Sequence, residues 1–216
     1  MELVSVSEAA DRLGVSAVRV RQMIHAGRLP ARKIAGRWTI EQSDLGRRRV
    51  VSRPMSEPMA WALIGMLSGA EVYVAPVERR RLEAKLERLA SDPRPLALLR
   101  SWLASRAERV RLSVPAADVA NLGADSRVCI SGVSDRRSGI VALAEVEGYV
   151  RRRDLDVLRR EYLMAPAAGA SAATLHVCDR RIPRPAPIGA VIADLADWCR
   201  PREDRSAEKL LREALR

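Results

Sequence analysis

The sequence predicts an α+β protein in two parts: a small unit over residues 1–52, and a larger mixed α+β region over residues 53–216. Three observations carry this reading. Two short stretches with helical apolar spacing lie either side of a two-residue connection, and a pair of short strands around a glycine follows them. Beyond the basic run RRRVVSRP, strand-like and helix-like segments alternate without an internal repeat.

In SVSEAADRLG, Ser7 is the expected N-cap, Glu8 favours the first turn, and Gly14 is placed to end the helix. Ala9, Ala10 and Leu13 share one face. Val15 and Ser16 form the connection, and Ser16 caps a second helix, SAVRVRQMIHAG, which ends at Gly27. Its Val20, Met23 and Ile24 make the core stripe. LPARKIAGRWTI then reads as two strands around an Ala35-Gly36 turn, with Ile34, Trp38 and Ile40 inward. A short closing helix over 41–45 and a linker to Pro54 complete the unit.

The larger region opens with Ser56 capping the apolar helix MAWALIGML, stopped by Gly69. Helices are expected over 76–90, 95–106, 115–122 and 154–162, and an amphipathic helix over 205–215. There Leu210, Leu211 and Leu215 form either core packing or a partner face. VRLSV, 128–131, 146–150 and 174–177 read as strands, whereas 188–198 fits a strand or a helix.

The chain carries 38 basic and 27 acidic residues, a net charge of +11, which points to nucleic acid as a partner. The charge is not evenly spread. Residues 1–52 hold ten basic and five acidic side chains, and between Arg12 and Ile40 seven basic residues meet no acid. With Val20, Met23 and Ile24 inward, the second helix should present Ala17, Arg19, Arg21, Gln22 and His25. Arginine pairs bidentately with guanine and glutamine with adenine, so Arg21 and Gln22 are the expected base readers. Arg19 and His25 suit a base or a phosphate, and the helix dipole alone also favours a histidine at position 25. Arg32, Lys33 and Arg37 lie on the hairpin, placed for phosphate or minor-groove contacts. Trp38 reads as a core filler. In the larger region Arg151, Arg152 and Arg153 form a basic run suited to a protein partner or to DNA flanks.

Other chemistries find little support. Cys129, Cys178 and Cys199 form no CxxC pair and His25 and His176 are the only histidines, so neither a disulfide framework nor a metal site is expected. Asp194 and Asp197 are expected on a solvated helix edge, and His176 packed on an apolar strand. Without a glycine-rich phosphate loop or a nucleophile elbow, no enzymatic activity and no cofactor are expected. The acidic residues near the start argue against a leader, and the longest apolar stretch is too short to cross a membrane, which together suggest a cytoplasmic protein.

The opening S-x-S-E-A-A-x-x-L-G-V-S, the exit I-x-x-G-x-L-P and the run G-R-W-x-I together resemble the excisionase-like, MerR-related winged helix-turn-helix domain. That resemblance implies DNA binding by the second helix and the wing. The segments RPMSEPMAWALIGMLSG, VCISGVSDRRSG, EVEGYVRRRDLDVLRREYLMAP and GAVIADLADWCRPREDRSAEKLL resemble the AbiE-type antitoxins of actinobacteria. This second resemblance implies neutralisation of a nucleotidyltransferase-like toxin and repression of a shared promoter; the leucine face at 210–215 leaves a homodimer open. Many AbiE-type antitoxins carry a different winged helix in front. Two other readings stay open: a stand-alone regulator with a sensor domain, and an architectural recombination factor.

Overall fold

The computed structural model describes residues 3–13, 15–25, 29–34, 36–42, 45, 53–142, 144–167 and 172–216. The fold is mixed α and β, as expected. Strand β1 (Leu3–Ser5) leads into α1 (Val6–Leu13), then α2 (Ala17–His25), β2 (Arg32–Ile34) and β3 (Arg37–Glu41). The three strands form one antiparallel sheet of order β1-β3-β2. Val4, opposite Ile40, joins Ala9, Ala10, Val20, Ile24, Leu29, Ile40 and Leu45 in a single apolar cluster drawn from these elements and the segments beside them.

The start of α1 corrects the expected cap. Ser5 holds that role: its hydroxyl accepts from the Glu8 N–H (3.2 Å), and its own N–H donates to the Glu8 carboxylate (2.8 Å). These two bonds, the backbone one foremost, lower the Glu8 pKa. Ser16 caps α2 as expected, accepting from the Arg19 N–H at 3.2 Å. Gly36 sits at φ +79°, a left-handed conformation that the hairpin turn requires. Ile34 departs from its expected inward place, since it is 48% exposed on the edge strand. The closing helix expected at 41–45 and the helix-ending glycines 14 and 27 fall mostly or wholly outside the described residues.

The larger region is built from α3 (Glu57–Leu67), α4 (Pro76–Ser91), α5 (Pro95–Trp102), β4 (Glu108–Ser113), α6 (Val119–Ala124), β5 (Cys129–Ile130), β6 (Val146–Arg151), α7 (Arg152–Glu161), β7 (Ala165–Pro166), β8 (Ala173–Cys178), α8 (Ile188–Asp197) and α9 (Pro201–Ala214). Its sheet runs β5-β6-β8-β4-β7. Among the described residues only β6 and β8 pair in parallel, and α7 lies on the crossover between them. One sheet face is apolar: Val146, Val150, Leu175 and Val177 pack with Leu122 and Leu158 of α6 and α7. The other face meets α8. Segment 188–198, which fitted either state, is a helix because it is apolar on nearly every side and is buried against α3. The two helices approach closely at Gly189, where a Cβ would stand 2.6 Å from the Ile64 carbonyl oxygen, and the Gly189 N–H donates to Ser68 Oγ.

The face toward α8 is polar, although almost all of it is buried. Glu147 and Tyr149 on β6 and His176 on β8 alternate with the apolar positions of the opposite face. Asp194 is fully buried, which overturns the solvated edge expected for it; Asp197 remains partly exposed. The reason is Arg106, which leaves the chain beyond α5 and enters the core. Its Nη2 reaches Asp194 Oδ1 at 2.7 Å and Asp197 Oδ2 at 2.6 Å, and its Nε reaches the Tyr149 hydroxyl. Tyr149 donates to Asp194 at 2.8 Å, and Ser131 donates to the other carboxylate oxygen. Glu147 accepts from the Trp198 indole (2.8 Å) and the Val133 N–H (2.9 Å), and contacts His176 Nε2 at 3.0 Å. Gly132 passes over this carboxylate at φ +54°, and a Cβ there would fall 1.9 Å from it. Burial opposes ionisation of Asp197, yet Arg106 and Arg109 hold its pKa below the usual value.

Removing one member of a buried ion pair strands the other charge. Asp194→Ala should therefore lower stability by about 3–5 kcal/mol in urea unfolding. Arg106→Met combined with Asp194→Leu should recover part of that loss, and a loss below about 1 kcal/mol for Asp194→Ala would contradict the network's structural role.

Candidate nucleic-acid interface

Helical phase decides what α2 offers to a ligand. Val20 and Ile24 are buried, and Ala17 lies two turns before Ile24 on the same side. Ala17, expected on the outer side, is consequently half-buried against the core. The outward stripe is Val18, Gln22 and His25, flanked by Arg19 and Arg21, and these five side chains are exposed. Val18 is the residue that sequence reasoning missed. A valine in a helix reads as core, but this one is 60% exposed between arginines, where an apolar group can meet a thymine methyl.

Most of the expected basic residues gather on this unit without neutralisation. Arg19, Arg21, Lys33 and Arg37 are exposed, and none has a carboxylate within ion-pair distance among the described residues. Arg19 makes a long bond, 3.4 Å, to the side-chain oxygen of Gln22, so the two share an orientation before any ligand arrives. Arg32 differs. Its guanidinium lies 3.6 Å from Glu41, so the acid-free run is partly compensated from just beyond its end. Arg12 donates to Gln42. Trp38 links the wing to α2: His25 packs edge-on at 5.9 Å, and the Lys33 ammonium lies 5.8 Å from its ring. This half-buried indole supports both surfaces, in keeping with its expected filler role. Arg28 lies outside the described residues.

The run at 151–153 divides. Arg151, half-buried, and Arg153, exposed, line a cleft of about 690 Å³, whereas Arg152 turns to Glu108 (2.9 Å) and Asp179 (3.7 Å). Arg152 is thus balanced across strands in a way its own segment does not reveal. Among the described residues no cluster of three or more potential metal-ligating side chains occurs, and none of the helices is long and apolar enough to cross a membrane.

A short helix pair with a basic outward second helix and a charged hairpin is the arrangement of a DNA-binding helix-turn-helix domain. Residues 3–47 match the family described as "Helix-turn-helix domain". The chain is also 36% identical over 105 residues to a probable plasmid-partitioning protein ParA of Thermus thermophilus; the match covers 49% of this chain but only 30% of that protein. No solved structure matches it.

The expected base readers and phosphate holders can be told apart by substitution. Arg21→Ala or Gln22→Ala should cost about 1–3 kcal/mol on a specific duplex and blunt discrimination from random DNA. Val18→Ala should cost about 1 kcal/mol, and only at sites with a thymine beneath it. Lys33→Ala or Arg37→Ala should weaken all duplexes alike and reduce a salt slope of about −4 by about one unit. Titrations of labelled specific and random duplexes at several salt concentrations distinguish the two groups; identical behaviour would contradict the assignment.

Proposed function

We propose that the chain is a cytoplasmic antitoxin that represses its own promoter through residues 1–52 and neutralises a nucleotidyltransferase-like toxin through residues 53–216. In this reading it acts by binding, without catalysis and without a cofactor, either as a single chain or as a homodimer. The observation that carries the DNA-binding half is the outward face of α2, where Arg19 and Arg21 flank Val18 and Gln22 with no carboxylate in ion-pair range among the described residues. The antitoxin half rests on the AbiE-type sequence patterns of the second part. Its division of labour is supported by the separate apolar cluster of the first unit, to which no described residue beyond Leu45 contributes. Arg151 and Arg153 are the proposed basic contacts for the toxin.

A second reading is supported by the likeness to a plasmid-partitioning protein: a DNA-binding role in partitioning, with no toxin involved. The two diverge in one experiment. A chain lacking residues 1–52 should still rescue cells that express the neighbouring gene product, while repression of a promoter reporter is lost. Full-length Arg21→Ala should rescue equally but raise reporter expression about tenfold, the equivalent of 1.4 kcal/mol. If the neighbouring product is harmless, the antitoxin reading fails and the partitioning reading gains. If it is toxic and the intact chain protects but the truncated chain does not, the division at the linker is wrong.

A further inference from the structure

The cleft beside Arg151 carries more charge than a solvated surface needs. Its walls hold Arg127, Arg151, Arg153, Arg180, Arg181 and Arg184 against a single acid, Asp154. Only Arg127 is firmly neutralised, by Asp125 and Glu161. Arg153 lies 3.8 Å from Asp154, a weak exposed pair. Arg184 is bound to the carbonyl oxygens of Ser126 and Val128, which fix the guanidinium, and it has no carboxylate in ion-pair range among the described residues. Arg180 lies against the Trp61 ring at 4.7 Å. Arg151 and Arg181 have no acidic partner among the described residues.

The position of the cleft is equally telling. It lies outside the carboxyl ends of the two parallel strands, where β6 closes at Arg151 and the loop after β8 supplies residues 180–184. The carboxyl ends of parallel strands are also where open α/β sheets place their ligand crevices, although here a single parallel pair supplies that edge. The first turn of α7, with Arg153 and Asp154, forms another wall, and that helix end adds favourable dipole for an anion. The volume suits a small molecule, and Val150 and Ile182 provide apolar surface beside the charges. An exposed duplex is read by a convex face or a helix in a groove; a concave cleft with fixed guanidinium forks suits a compact group of several negative charges.

We propose that this cleft binds a small ligand carrying a di- or triphosphate group, independently of the DNA surface on α2. The charged groups clamp the phosphates, and the apolar wall accommodates whatever the phosphates are attached to. Bound ligand also relieves the mutual repulsion of the arginines, so it stabilises the folded chain.

The test uses the full-length protein, with ATP, GTP, inorganic triphosphate and AMP as probes, read by calorimetry and by thermal shift. At least one triphosphate should bind and raise the melting temperature, with AMP weaker by about tenfold or more. Comparing ATP and GTP with inorganic triphosphate tells a nucleotide from a free polyphosphate source. Arg151→Ala with Arg181→Ala should weaken triphosphate binding at least about tenfold, because each removes charge-assisted hydrogen bonds to phosphate. Both side chains lie outside the core, so an unchanged melting temperature without ligand verifies that the variant is folded. Arg21→Ala, which weakens specific DNA binding by α2, should leave triphosphate binding unchanged. Absence of binding by every triphosphate, binding by AMP as tight as by ATP, or undiminished binding by the double variant would overturn the proposal. So would competition in which duplex DNA alone, and no triphosphate, occupies the arginines.

Discussion

The pair formed by Arg106 and Asp194 is the constraint around which the larger region is organised. Burying a carboxylate and a guanidinium away from water is costly unless each finds several partners in good geometry. Here Asp194 accepts from Arg106, Tyr149 and Ser131, so strand β6, the segment after α5 and the segment after β5 are all tied to helix α8. The neighbouring Glu147 binds Trp198 and the Val133 N–H in the same layer. A shift of β6 by one residue would turn Glu147 and Tyr149 toward the apolar layer of Leu122, Leu158 and Leu175. The network therefore selects one register, a specificity that apolar packing alone supplies less sharply.

The same electrostatics explains the opposite arrangement on the first unit. A cation with neighbouring carboxylates can be folded inward, as Arg106 is. A cation without them stays exposed and keeps its field for a ligand, as Arg19, Arg21, Lys33 and Arg37 do. Arg32 and Arg152 stand between these cases, exposed yet paired with Glu41 and Glu108. Such surface pairs are worth little, on the order of 0–1 kcal/mol, so neither is withdrawn from binding by its partner.

Local signals were legible in the sequence and distant ones were not. The Ser16 cap, the α2 stripe and the hairpin around Gly36 each depend on residues within a few positions of one another, and all are present. Strand β1 was hidden because three residues show no period; only pairing with β3 makes it a strand. Ala17 turns inward, against its expected place, because the stripe at 20 and 24 sets the phase, and Val18, to which the sequence assigned no role, takes an outward position. Asp194 misled for a different reason. Its partner Arg106 is 88 residues away, and no spacing rule links ADLAD to an arginine beyond α5. The six arginines of the cleft likewise come from three separate segments, of which only 151–153 stood out as a run.

The central claim is that DNA is met by α2 and the wing and not by the larger basic region. Amide hydrogen exchange, compared with and without a promoter duplex, measures this directly. Added protection should fall on residues 17–25 and 32–41, leaving the strands around Arg106 and Asp194 and the loop at 180–184 unchanged. Protection confined to residues 126–184, with α2 exchanging as in the free protein, would contradict it.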